Sequence, residues 1–183
     1  MHWRGPGSEF LGILKYCMLY DRTPELKCIL FDREPAWSES WMDVDDKIGP
    51  SFRISTTFNL FDVTDPPSWR VYAKYLQSDL FAMVYFLSEV SIARAEAQPY
   101  FEALLTGVRA GAYFLFIDNN AVDFYDWFDD LAAAHGVEII SQGSGRETMS
   151  PSEEKKTLEP YYTKFGEPKL QMDVAYRVGV KHD

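Results

Sequence analysis

The sequence predicts an α/β fold: a mostly parallel sheet with helices on both faces and an antiparallel strand at its C-terminal end. Short, continuously apolar runs alternate with segments of helical periodicity along most of the chain. That alternation is typical of a parallel sheet that is buried on both faces. The last two apolar runs instead alternate apolar and polar residues, which indicates more exposed, antiparallel strands.

The elements follow in order from this pattern. The expected strands are Leu26–Phe31, Arg53–Phe61, Asp79–Phe86, Ala112–Ile117, Val137–Ser141 and Met172–Val178. The expected helices are Phe10–Tyr20, Ser91–Val108, Asp123–His135 and one that begins at Ser152. Gly111 and Gly136 follow two of these helices closely, as glycines that end helices do. Residues 33–50 and 143–151 are expected to be loops.

Length and composition predict one globular domain over residues 1–183. A chain of 183 residues is long enough for one buried core and short for two. Cys17 and Cys28 lack metal-binding spacing, and we expect reduced thiols in the cytoplasm or nucleus, with no metal and no membrane span. The formal net charge of -10 disfavours a broad electrostatic contact with nucleic acid, although RNA stays open as a substrate.

A glycine turn, Gly5-Pro6-Gly7, precedes the first helix, and Glu9 lies in that helix's first turn. Glycines permit a tight turn and a close approach of the backbone to a ligand. The turn therefore predicts a loop that binds a nucleotide or nucleoside. The stretch Gly5–Phe10 also resembles a linker left by cloning, and this alternative stays open. Because so few residues precede Gly5, the strand expected before such a loop is short or missing.

Acidic residues stand at the ends of three predicted strands: Asp32, Asp62 and Asp118. Ligands of open α/β sheets bind outside the carboxyl ends of the strands. Asp32 follows the glycine turn at a distance typical of an acid that binds ribose hydroxyls. Asp62 could accept a hydrogen bond from the exocyclic amine of adenine. Each acid is also explained by a simple Asx turn or helix cap.

This order of glycine turn, helix and strand-end acids resembles a class I S-adenosylmethionine-dependent methyltransferase. The resemblance implies a Rossmann-like sheet in which Val137–Ser141 and Met172–Val178 form a C-terminal antiparallel hairpin. The segments YFLSEV, FIDNN and EEKKTLEPYYTKFG are similar to eukaryotic methyltransferases that are themselves distantly similar to ribosomal-RNA uridine methyltransferases. The resemblance implies a chain truncated at its N-terminus and S-adenosylmethionine as cofactor. The implied cofactor-binding residues are Gly5, Gly7, Glu9, Asp32, Asp62 and Val63. The acceptor is not implied, and RNA is one option.

Methyl transfer from a sulfonium needs positioning and exclusion of water more than a protein nucleophile. An acceptor that must lose a proton needs a base near the strand ends, and Asp118 is the candidate. Tyr85 is the candidate for stacking on a planar acceptor, although an aromatic residue there is also explained as core packing.

Two other functions are compatible with the same residues. The first is a catalytically inactive or fragmentary methyltransferase-like domain that acts as a binding module, which the short front end favours. The second is a nucleotide-dependent oxidoreductase. Phe10 stands where the dinucleotide-binding pattern requires its third glycine, which makes the oxidoreductase the weakest of the three. The pattern predicts no oligomeric state.

Overall fold

A computed structural model describes residues 8–47, 49, 52–148, 159–160, 162–164 and 171–183. The helices are α1 (Ser8–Leu19), α2 (Ala36–Asp45), α3 (Pro66–Arg70), α4 (Phe86–Val90), α5 (Arg94–Gly107) and α6 (Val122–Ala134). The strands are β1 (Leu26–Asp32), β2 (Ile54–Leu60), β3 (Leu80–Val84), β4 (Tyr113–Asn119), β5 (Val137–Thr148) and β6 (Gln171–Lys181). Short 3-10 helices cover Ala73–Gln77 and Ser91–Ala93.

The chain divides into two compact units. Unit 1 comprises Met1–Gln77 and Ala95–Tyr100, and unit 2 comprises Ser78–Arg94 and Phe101–Asp183. The expectation of one domain over the whole chain stays a prediction. Each unit has its own sheet, so each is described by itself.

Unit 1 contains the parallel pair β1–β2. Its register runs from Leu26 opposite Ile54 to Asp32 opposite Leu60. One face of this pair packs against a small apolar core of Phe10 and Leu14 from α1 and Trp41 from α2. The ring centroids of Phe10 and Trp41 are 5.6 Å apart. Burial of these side chains holds both helices against the sheet.

Unit 2 contains the strand order β3-β4-β6-β5. β3 pairs with β4 in parallel, and β6 pairs antiparallel with both β4 and β5. Phe114 and Phe116 of β4 are fully buried, and Phe116 stacks on Phe128 of α6 with ring centroids 5.0 Å apart. The predicted α/β class with a C-terminal antiparallel hairpin is confirmed.

The two faces of the unit 2 sheet differ in burial. Side chains alternate between faces along a strand, so Tyr113 and Leu80 point away from the face that carries Phe114. Tyr113 is 46% exposed and Leu80 is 43% exposed, whereas Phe114 is 0% exposed. The helix α6 packs on the Phe114 face, and this face holds the core of unit 2.

Several element boundaries differ from those the sequence predicts. Residues 36–45, expected to be a loop, form α2, because Trp41 gains a buried partner in α1. Residues 143–148, also expected to be a loop, continue β5, because β6 pairs with them along their whole length. The third strand ends at Val84 rather than at Phe86. The start of the helix expected at Ser152 lies outside the described residues, and residues 159–160 and 162–164 are helical.

Candidate functional site

Unit 1 brings two of the predicted site acids to one edge of its sheet. Asp32 is the last residue of β1 and lies opposite Leu60, the last residue of β2. The backbone N–H of Phe61 donates to the carbonyl oxygen of Asp32 at 2.9 Å, just before Asp62. Because the two strands are parallel, both acids and the buried Val63 follow the carboxyl ends of the strands.

An aromatic cluster fixes the spacing of these acids. Phe31 and Phe61 each directly precede one of the acids, and their ring centroids are 4.4 Å apart. Tyr75 packs edge-on against both rings, at 5.4 Å and 5.8 Å. Burial raises the pKa of the Tyr75 phenol to about 12. The cluster is therefore uncharged at neutral pH and packs next to the ends of β1 and β2.

Each acid also orders its own turn. Asp32 Oδ1 accepts a hydrogen bond from the N–H of Glu34 at 2.9 Å. Asp62 Oδ1 accepts from both the N–H and the hydroxyl of Thr64, at 2.9 Å and 2.7 Å. The Asx turns that the sequence allowed as an alternative are therefore present at both strand ends.

The glycine turn is not part of the described structure. Gly5 and Gly7 lie outside the described residues, whereas Glu9 lies in the first turn of α1. Burial, and next the charge of Glu9, raise the pKa of the Cys28 thiol to about 12. The Glu9 carboxylate is therefore near β1, and Cys28 remains a protonated thiol at neutral pH.

Unit 2 places Tyr85 in a backbone conformation that non-glycine residues rarely adopt. Tyr85 lies between β3 and α4 with φ 53° and ψ 26°, in the left-handed region. This conformation costs an L-residue roughly 1–2 kcal/mol. The N–H of Tyr85 donates to the carbonyl oxygen of Ile117 in β4 at 2.7 Å, which ties the turn to the next strand.

Asp118 of β4 also stabilises the turn between β3 and α4. The side chain is fully buried, and its Oδ2 accepts from the N–H of Ser88 at 3.0 Å while Oδ1 accepts from the N–H of Asn119 at 2.8 Å. The N–H of Ser88 belongs to the first turn of α4, where no helical carbonyl can accept it. The Ser88 hydroxyl in turn donates to the carbonyl oxygen of Tyr85 at 3.2 Å. Asp118 therefore fixes the conformation from which Tyr85 projects.

The Tyr85 side chain reaches across to β6. Its hydroxyl donates to the Met172 sulfur at 3.0 Å. Burial, and next the charge of Asp118, raise the pKa of Tyr85 above its ordinary value. The phenol is consequently a neutral hydrogen-bond donor under physiological conditions.

Some residues of the site were missed by sequence reasoning. The Ser68 hydroxyl oxygen accepts a hydrogen bond from the backbone N–H of Asp62 at 2.7 Å. Ser68 lies in α3, and the pair Asp65-Pro66, which is a typical helix start, could have predicted that helix. Met172 had no signal, because its partner Tyr85 is distant in sequence. Ser88 of α4 had none either, because its acceptor Asp118 lies on β4, 30 residues further along the chain.

Metal-binding clusters and membrane-spanning helices are both absent from the described ranges. No group of three or more His, Cys, Asp or Glu side chains among these residues could hold a metal ion. None of the described helices is long and apolar enough to cross a membrane.

Comparison with solved structures shows a consistent likeness. A protein proposed to be a methyltransferase from Thermoplasma acidophilum is 11% identical with a TM-score of 0.55; the match covers 98% of this chain and 66% of that one. Precorrin-6y C5,15-methyltransferase from Geobacter metallireducens is 7% identical with a TM-score of 0.53, over 94% of this chain and 88% of that one. A proposed methyltransferase from Bacillus halodurans is 11% identical with a TM-score of 0.50, over 94% and 100%.

No protein-family model and no curated protein matches the sequence. The structural likeness nevertheless covers nearly all of the chain, which spans about two thirds of the Thermoplasma structure. The chain therefore has the class I methyltransferase fold that the sequence predicted.

Proposed function

We propose that this chain binds S-adenosylmethionine and catalyses transfer of its methyl group to an acceptor. The observation that carries the proposal is the placement of Asp32 and Asp62 at one sheet edge, in a chain with the class I methyltransferase fold. A strand-end carboxylate is the group that binds ribose hydroxyls in nucleoside sites of α/β sheets.

The residues of unit 1 fit the parts of an adenosyl group. In the proposal Asp32 accepts hydrogen bonds from the ribose hydroxyls, and such charge-assisted bonds are strong. Asp62 accepts from the adenine amine, and the buried Val63 offers an apolar contact to the base. Gly5, Gly7 and Glu9 stay predictions for the methionine end of the ligand.

The reaction is an in-line displacement. The bond between the sulfonium sulfur and the methyl carbon breaks, a bond from an acceptor nucleophile to that carbon forms, and S-adenosylhomocysteine leaves. A proton bound to the nucleophile passes to a base or to water. Rate enhancement comes from holding both reactants in attack geometry away from water.

We assign different roles to the two site residues of unit 2. Tyr85 contacts the acceptor, because a strained residue held by several hydrogen bonds is characteristic of functional sites. Asp118 acts as a positioning residue for Tyr85, since each of its two oxygens accepts a backbone N–H group, one of them from Ser88 in the turn that follows Tyr85. Its role as the base stays a prediction that the arrangement does not favour. RNA stays a candidate acceptor.

Isothermal titration with S-adenosylhomocysteine tests the assignment of Asp32. Asp32→Ala is expected to weaken binding by about 1–3 kcal/mol, the scale for charged hydrogen bonds left unmade. Asp65→Ala is the matched control, because Asp65 is an exposed acid of the same unit whose side chain makes no cap hydrogen bond. Equal affinity of the Asp32 variant and the native chain would reject the assignment.

A further inference from the structure

The turn that follows β2 fixes the backbone of Asp62 with two hydrogen bonds. The backbone N–H of Asp62 donates to the Ser68 hydroxyl oxygen at 2.7 Å. The carbonyl oxygen of Asp62 accepts from the backbone N–H of Asp65 at 3.1 Å. The two side chains next to Asp62 in sequence are buried, so the backbone is also held on both sides of this residue. We call residues 62–65 the Asp62 turn.

Thr64 fixes the side chain of Asp62 as well. Its backbone N–H and its hydroxyl both donate to Asp62 Oδ1, at 2.9 Å and 2.7 Å. The backbone bond alone is an ordinary Asx turn, which Asp32 also forms with the N–H of Glu34. The hydroxyl of Thr64 adds a second donor to the same oxygen. This bond is part-buried, whereas the bond between Glu34 and Asp32 is exposed.

Two donors on one oxygen restrict rotation of the Asp62 carboxylate. The terminal torsion of an aspartate is broad, so a carboxylate without such bonds turns easily. Rotation of the Asp62 carboxylate would break both bonds that Thr64 makes to Oδ1. Hydrogen bonds to a carboxylate are among the stronger ones in proteins. The second oxygen, Oδ2, therefore keeps a defined direction relative to the end of β2.

We propose that Thr64 is a positioning residue that makes the adenosyl site select adenine over hypoxanthine. The inference rests on the proposed function, in which Asp62 accepts a hydrogen bond from the exocyclic amine of adenine. Hypoxanthine has a carbonyl oxygen in place of that amine and carries a donor N–H on the adjacent ring nitrogen. A carboxylate that rotates can turn from the carbonyl to this N–H and bind either base. The two bonds from Thr64 oppose that rotation.

A carboxylate held in one direction discriminates between the bases in two ways. It binds the amine of adenine with little loss of rotational freedom, because that freedom is already restricted. It also faces the carbonyl oxygen of hypoxanthine with a like charge and leaves a hydrogen bond unmade. Sites built to bind an N–H reject analogues that lack it for this reason. The Thr64 hydroxyl therefore controls the ratio of the two affinities.

The experiment is an isothermal titration of the full chain with S-adenosylhomocysteine and, separately, with S-inosylhomocysteine. The two ligands differ only in the base, which is adenine in the first and hypoxanthine in the second. Thr64→Val and Thr64→Ala remove the hydroxyl, and Thr64→Ser keeps it. Thr57→Val is the matched control, because Thr57 is an exposed threonine of β2 in the same unit and lies outside the Asp62 turn.

The native chain is expected to bind S-adenosylhomocysteine at least about tenfold more tightly than S-inosylhomocysteine. Thr64→Val and Thr64→Ala should each lower this ratio by about threefold to tenfold. Thr64→Ser and Thr57→Val should keep the native ratio. A general loss of structure would instead weaken both ligands alike and leave the ratio unchanged.

The outcomes separate the inference from the proposed function. An unchanged ratio in Thr64→Val and Thr64→Ala, in variants that bind S-adenosylhomocysteine, would overturn the inference alone. Equal binding of both ligands by the native chain would overturn it too, because the site would not read the amine. Failure of the native chain to bind S-adenosylhomocysteine would contradict the proposed function and, with it, the inference.

Discussion

At the scale of single residues, buried hydrogen bonds decide what each acid of the site can do. Asp118 is fully buried and accepts two backbone N–H groups, whereas Asp32 and Asp62 lie at strand ends and order short local turns. The sequence made the three acids look equivalent, since each follows or ends an apolar run. Asp118 differs from the other two acids because it accepts the N–H of Ser88, which lies at the junction of β3 and α4. No local sequence pattern around Asp118 reveals this contact.

Substitution of Asp118 tests its positioning role. Asp118→Ala leaves the part-buried N–H groups of Ser88 and Asn119 without their acceptor. A buried donor left unpaired costs about 1–3 kcal/mol, and the exposed Asn119 can bind water instead, so the total loss should be about 1–3 kcal/mol. Asp118→Asn keeps one acceptor oxygen and should cost less. Urea unfolding of the two variants measures the difference. If both variants unfold with the same free energy as the native chain, the hydrogen bonds of Asp118 are not what holds the turn.

The same pair separates positioning from general-base catalysis. If Asp118 positions Tyr85, Asp118→Asn keeps a substantial part of the methyl-transfer rate and leaves the pH profile of kcat unchanged. Loss of activity at every pH, in a chain that still binds S-adenosylhomocysteine, would assign Asp118 as the base instead. A methyl-transfer assay that follows the conversion of S-adenosylmethionine to S-adenosylhomocysteine provides the measurement.

At the scale of elements, alternation along β4 separates a buried face from an exposed one. Phe114 is 0% exposed and its neighbour Tyr113 is 46% exposed, although both are aromatic residues in one apolar run. The sequence predicted the run as a strand correctly, since a short apolar segment between turn signals is typical of one. Periodicity could not assign its faces, because nearly every residue in the run is apolar.

Truncation of these neighbours is expected to have unequal effects. Phe114→Ala removes a fully buried ring and should lower the free energy of unfolding by about 3–5 kcal/mol. Tyr113→Ala removes a half-exposed ring and should cost less than about 1 kcal/mol. Chemical denaturation of both variants gives the comparison. Equal losses would mean that the Tyr113 face is covered in solution.

The elements that the sequence missed depend on distant partners. Helix α2 mixes polar and apolar residues in sequence, and Trp41 becomes a core residue through its packing in the cluster that contains Phe10 and Leu14. The late part of β5 contains Gly143 and Gly145, which read as a loop until β6 pairs with them. Local chemistry was sufficient for strand ends and glycine stops, and insufficient wherever a partner is remote in the chain.

At the scale of the whole molecule, we expect the free energy of unfolding to fall as the pH becomes alkaline. The Cys28 thiol has a folded-state pKa of about 12 against an ordinary value of 9.0, and burial is the main cause. The folded chain therefore holds this proton where the unfolded chain has lost it. Its contribution is fully present below pH 9 and is lost as pH rises toward 12.

Cys28→Ala tests this linkage. The free energy of unfolding of the native chain falls between pH 9 and 12, and the Cys28 thiol accounts for at most about 1.4 kcal/mol of this fall per pH unit. Removal of the thiol should make the fall smaller by that amount. Cys28→Val restores apolar volume without a titrating proton and should show the same reduced slope. Thermal or urea unfolding across this range gives both slopes. A native slope in both variants would show that other groups govern alkaline unfolding.

The central claim is that this fold binds an adenosyl sulfonium rather than a dinucleotide or no nucleotide. Parallel titrations of the full chain with S-adenosylhomocysteine, by calorimetry, and with NADH, by cofactor fluorescence, test it most directly. We predict saturable one-to-one binding of S-adenosylhomocysteine with a Kd below about 1 mM, which is a binding free energy more favourable than about -4 kcal/mol. We predict no change in NADH fluorescence. Absence of S-adenosylhomocysteine binding at millimolar concentration would contradict the account and favour a non-catalytic binding module, and binding of NADH would favour an oxidoreductase.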